Sequence, residues 1–110
     1  MEKESPVAET PREAAQNAVE PERLLPGEDP RTTHPDDVRH WMSVYAQLLS
    51  FKEKVLSDTH ASMAVMEPEA RAEVSRTDAT VLEAERQRLR RRADFWEQRH
   101  RELTLVEARP

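Results

Sequence analysis

The 110-residue chain has no cysteine, a single glycine, and only two Phe, two Trp and one Tyr. Without cysteine there are no disulfides, thiolate nucleophiles or thiolate-held metals, so nothing directs the chain to an oxidising compartment and a cytoplasmic address is expected. One glycine cannot build a glycine-rich phosphate loop. The apolar share of 36% is below the roughly 45–50% of an average globular chain, a figure that also counts glycine, so a large enzyme core is not expected. No apolar run approaches the ~18 residues needed to span a bilayer. The opening Met1-Glu2-Lys3-Glu4-Ser5-Pro6 has neither the basic start nor the apolar stretch of a signal peptide, and a soluble protein with no membrane contact is expected. Charge is what the chain has in abundance: 35% of its residues are charged and the net charge is −5. That sign disfavours nonspecific nucleic-acid binding as the main role, but a whole-chain sum conceals any local basic face.

The breakers and the aromatics lie in different parts of the chain. Pro6, Pro11, Pro21, Pro26, Pro30, Pro35 and Gly27 all precede the first aromatic, Trp41. Residues 1–32 therefore read as a disordered, acidic, proline-rich tail, since Val7, Val19, Leu24 and Leu25 cannot offset an ordering cost of ~1–2 kcal/mol per residue. Thr10, Pro11 and Glu13 resemble a helix start, which makes 11–19 a candidate short helix, marginal in water.

Residues 33–107 read as a helical hairpin. Thr33-His34-Pro35-Asp36-Asp37 combines a capping hydroxyl, an early proline and two carboxylates at the positive end of the helix dipole, so helix 1 begins near residue 34. Val38, Trp41, Met42, Tyr45, Leu48, Leu49, Val55, Leu56, Met63 and Met66 then recur three and four apart, which carries helix 1 to about residue 66. Pro68 clashes with a continuing helix but suits the first turn of a new one, so the chain reverses near Glu67 and helix 2 runs over about 68–105. Leu82, Leu89, Trp96 and Leu103 are spaced by sevens, a coiled-coil seam. The expected fold class is all-α: a long antiparallel two-helix hairpin that self-associates into a four-helix bundle, with a single kinked helix as the other geometry.

Val44, Phe51 and Val55 extend the apolar stripe of helix 1 to about half the circumference, more than one partner helix covers. They are candidate contacts for a second copy or another protein. Lys52 and Glu85 intrude on the two apolar faces; with the reversal centred near residue 67 they lie within a turn of each other and form a candidate structural ion pair. Ser43, Ser50 and Ser57, beside Ala46 and Ala61, make a strip of small side chains suited to close helix packing.

Arg86, Arg88, Arg90, Arg91, Arg92, Arg99 and Arg101 give helix 2 a basic stretch. Arginine recruits carboxylates and phosphates bidentately, which makes Arg88, Arg91, Arg92 and Arg99 candidate partner-binding residues. A nucleotide- or nucleic-acid-binding module using Arg86–Arg101 is the alternative function, weakened by the interleaved Glu83, Glu85, Asp94, Glu97 and Glu102. His34, His40, His60 and His100 have no metal-ligand spacing, although the register brings His34 near His100. No catalytic, cofactor-binding or metal-ligating residue is expected.

The stretch Leu48-Leu49-Ser50-Phe51-Lys52-Glu53-Lys54-Val55-Leu56, on the first rod of a hairpin in an arginine-rich chain, resembles the actinobacterial RsiG-type anti-sigma hairpins. That family holds cyclic di-GMP with an E-x3-S-x2-R-x3-Q-x3-D helix motif. Anchored on Ser50, the motif meets Ala46, Glu53, Ser57 and Ala61 where Glu, Arg, Gln and Asp are wanted. In helix 2, Glu85 and Arg92 keep the Glu-to-Arg spacing, but Leu89, Trp96 and His100 take the remaining places. The resemblance covers residues 38–103. It implies a regulatory hairpin that docks on a sigma factor or other transcription component, and the missing motif argues against cyclic di-GMP as its ligand. The expectation is thus a non-enzymatic regulatory or adaptor protein without a cofactor.

Overall fold

A computed structural model describes residues 22–108 continuously, together with Thr10, Arg12 and Glu20. Apart from Arg12, the candidate helix over 11–19 lies outside the described residues. The described part is helical, with α1 over Pro35–Met63, α2 over Pro68–Arg76 and α3 over Asp78–Ala108. α1 and α3 pack against each other as the two arms of a bent hairpin.

The start of α1 differs in detail from the capping scheme read in the sequence. Its N-cap is His34, in extended conformation and without a side-chain cap bond, and Pro35 follows at the first position. The hydroxyl at work is that of Thr32, which accepts from the His34 amide at 3.3 Å and donates to Asp37 at 3.1 Å. The far end of α1 closes at Met63, three residues before the expected end, where the Ala64–Met66 turn begins. Arg71 reaches back from α2 to donate to the carbonyls of Met63 (3.1 Å) and Met66 (2.9 Å), satisfying acceptors that a helix end leaves open. Glu67 before Pro68 is extended, as proline requires of its predecessor, and the chain reverses there.

The second arm is not the single helix expected over 68–105. It breaks at Thr77, whose φ of −113° and ψ of −88° lie outside the helical region. Ser75, Thr77, Asp78 and Thr80 cluster at the break, and such side chains compete for backbone groups. Thr77 Oγ1 donates to the Glu73 carbonyl at 2.8 Å and Thr80 Oγ1 to the Ser75 carbonyl at 2.7 Å. α2 contributes no buried residue, so no packing opposes the break.

Val38, Tyr45, Leu49, Leu89 and Trp96 form the core, with Trp41, Met42, Ala93, Phe95 and Leu103 packed at its edge. Trp41 stacks on Trp96 with ring centroids 6.5 Å apart. The centre of the coiled-coil seam, Leu89 and Trp96, is buried, whereas Leu82 and Leu103 are half-buried toward its ends. Packing on the seam is therefore densest around Leu89 and Trp96.

A second correction concerns the boundary at residue 32. Leu25 packs against the core and Glu28 is buried, so the segment 22–32 is a strap laid on the hairpin. The reach of the expected tail beyond this segment lies almost wholly outside the described residues.

Candidate functional site

The strap begins with a turn written plainly in its residues. Leu25-Pro26-Gly27-Glu28 has proline at the second position, glycine at the third with φ +83°, and a 3.0 Å bond from the Glu28 amide to the Leu25 carbonyl. These are the marks of a type II turn, in which the third residue needs positive φ and glycine supplies it without strain. The turn aims Glu28 into the cleft between α1 and α3.

There the carboxylate, with its side chain 0% exposed, meets four donors. Oε1 accepts from the Tyr45 hydroxyl and, at 2.9 Å, from the Leu25 amide. Oε2 accepts from Arg92 Nη2 at 2.6 Å and from the Trp96 indole N–H at 2.8 Å. Both oxygens are thus fully used, which is what makes burial of a carboxylate tolerable. Four residues on, Arg99 donates to the Thr32 main-chain carbonyl at 2.7 Å. Phe95 supports both cations, with the Arg92 and Arg99 guanidinium carbons 4.6 and 5.3 Å from its ring centre.

The protonation states follow from this geometry. Burial pushes the Glu28 carboxyl up, but the bonds from Tyr45, Arg92, the Leu25 amide and Trp96 outweigh it and hold the group below its ordinary 4.5. Tyr45 is pushed up to about 12, first by burial and then by its bond to the Glu28 carboxylate. Burial alone disfavours the Arg92 cation, yet Glu28 reverses that and raises it. Near neutral pH the cluster is therefore carboxylate, phenol and guanidinium. It fixes charges in place, as a clasp does.

The structure redistributes the residues singled out as partner contacts. Arg88 is buried at 4% exposure, and Arg92 and Arg99 serve the strap, so these three do not form an open basic surface in this state. The carboxylate and the carbonyl that Arg92 and Arg99 bind come from the segment read in the sequence as tail. Burial, followed by the nearby charge of Arg23, holds Arg88 below the usual guanidinium value. Arg91 is exposed. Lys52 Nζ stands 3.0 Å from Glu85 Oε1, with both side chains largely buried. On α1, Val44 and Val55 are half-buried and Phe51 is 62% exposed. Leu48, one turn before Phe51, is also exposed. Val55 continues into a groove of about 680 Å³ bordered by Thr59, Thr77, Asp78, Val81 and Leu82, beside the helix break.

The remaining candidates are placed more simply. Ser43, Ser50, Ser57, Ala46 and Ala61 are exposed. Ala46 and Ser50 line a shallow groove with Arg90, which is paired with Glu53 at 3.1 Å. His40 meets Trp41 edge to face. Among the described residues, no three His, Asp or Glu side chains gather as a metal site, and no helix is long and apolar enough to cross a membrane.

Glu28, Leu25 and Thr32 are the residues that sequence reasoning missed. The available signal was local: a Leu-Leu pair running into Pro-Gly, a turn with apolar residues to anchor it, inside a segment otherwise polar. Compared with protein-family models, curated proteins and solved structures, the chain matches none.

Proposed function

We propose that this chain is a non-enzymatic regulatory or adaptor module that binds a protein partner through the outward face of α1. The observation that carries the reading is Phe51, 62% exposed in the middle of a well-formed helix and preceded one turn earlier by exposed Leu48. Half-buried Val44 and Val55 flank them and widen the patch. A contiguous apolar patch of this kind gains free energy when another surface covers it, at about 25 cal/mol per Å². Sigma factors and other transcription components are the partner class that the hairpin resemblance implies. A second copy of the chain is the other occupant such a face accepts.

Phe51→Ser tests the reading. Because the side chain is largely outside the core, the expected stability change is within ~0.5 kcal/mol by thermal melting. Affinity for a partner recovered with the wild-type chain is expected to fall at least tenfold. Unchanged recovery by a correctly folded Phe51→Ser chain contradicts it, and sedimentation of both chains reports whether the face serves self-association.

A further inference from the structure

We infer that the outward face of α1 is covered by a second copy of this chain, packed antiparallel about a two-fold axis that passes between Leu49 and Ser50. The inference rests on that face being a docking surface, and it names the occupant. Val44, Leu48, Phe51 and Val55 are spaced four, three and four apart, the repeat by which one helix presents a seam to another. This seam is distinct from the inward one of Val38, Tyr45 and Leu49, which belongs to the core. Its next positions are Trp41, already stacked on Trp96, and Asp58, an exposed carboxylate, so it is bounded at both ends.

A two-fold contact requires a patch that is complementary to itself. Read in either direction this seam has the same spacing, with the two valines outside and the larger Leu48 and Phe51 inside. An antiparallel copy therefore sets Leu48 against Phe51 and Val44 against Val55, twice over. A foreign helix demands no such symmetry of the face it covers. The axis also falls at the middle of α1, whose 29 residues Pro35–Met63 are centred on Leu49, so the two helices overlap along their whole length of about 43 Å. Charge fixes the direction. The closed half of the hairpin, residues 53–83, has seven carboxylates against three cations, whereas the open half, residues 22–52 and 84–108, has ten against eleven. A parallel pair aligns two acidic ends. The antiparallel pair lays each acidic end beside the open end of the other copy and brings exposed Asp58 next to exposed His40.

The test uses the full chain in sedimentation equilibrium and, because it has no cysteine, disulfide trapping between single-cysteine variants. At micromolar concentration the wild-type chain is expected to sediment at twice its monomer mass, and Phe51→Ser is expected to raise the dimer dissociation constant at least tenfold with helical circular dichroism intact. If Phe51→Ser loses helicity, Phe51→Gln takes its place, and loss of helicity in both overturns the inference by making Phe51 part of the fold. Oxidation of mixed Val44→Cys and Val55→Cys chains is expected to give the 44–55 cross-link in at least fivefold excess over 44–44 and 55–55. A monomer throughout the micromolar range, a dimer indifferent to Phe51→Ser, or a preference for the 44–44 and 55–55 cross-links overturns it. A monomeric chain whose recovery of a different protein still falls in Phe51→Ser overturns the second copy and leaves the α1 face a docking surface, whereas a monomeric chain whose recovery is unchanged removes both.

Discussion

At the scale of single residues, Glu28 and Tyr45 make opposite demands on pH. Glu28 has a folded pKa below its ordinary 4.5, so its contribution to stability is fully present above that value and is lost as pH falls through the lower, folded one. An acid titration of stability is expected to show this loss in the wild-type chain and a flatter curve in Glu28→Gln, which cannot ionise; coincident curves contradict the assignment. Tyr45 behaves conversely. Its pKa is raised from 10.0 to about 12, so its contribution is complete below 10.0 and disappears as pH rises through the folded value. It is the only tyrosine, and the ultraviolet absorbance of the ionised phenol is expected to rise near pH 12 in the folded chain. A midpoint at the ordinary value places Tyr45 in water and removes one wall of the clasp.

At the scale of elements, the hairpin was legible because local signals repeat. The three-and-four spacing from Val38 to Leu56 wrote α1, Pro68 wrote the reversal, and Leu89 and Trp96 wrote the buried seam. The reversal also set the register, which is how two lone charges 33 residues apart are brought to 3.0 Å. Lys52→Met and Glu85→Leu are each expected to destabilise the chain by about 1–3 kcal/mol, with the double variant regaining much of the loss. Strictly additive losses on chemical denaturation contradict a coupled pair. The break at Thr77 was hidden because the heptad seam starts only beyond it, at Leu82, and only the cluster of Ser75, Thr77, Asp78 and Thr80 reports that backbone groups have competing partners there.

At the scale of the whole molecule, the strap changes the meaning of the basic stretch. Counting charges along helix 2 gave a basic stretch interleaved with acids, with Arg92 and Arg99 among the candidate partner contacts; the fold turns these two onto the chain's own residues 28 and 32. This was not legible because the information is non-local. Glu28 meets Tyr45, Arg92 and Trp96 across 17, 64 and 68 positions, and one carboxylate satisfied by three distant donors leaves no periodicity to read. The hydrophobic pattern locates what packs by area, whereas the strap is held chiefly by hydrogen bonds. The molecule that results has two separate surfaces, an apolar face on α1 and a polar cleft closed by its own segment.

The central claim is that Glu28 clasps the strap to the hairpin, and the indole N–H of Trp96 reports on it directly. Only two indoles are present, and that of Trp96 donates to Glu28 at 2.8 Å. Hydrogen exchange followed by NMR is predicted to show the Trp96 indole proton strongly protected in the wild-type chain. In Glu28→Ala its exchange is predicted to accelerate at least tenfold relative to the Trp41 indole. Identical Trp96 exchange in the two chains, with helicity intact in both, contradicts the clasp.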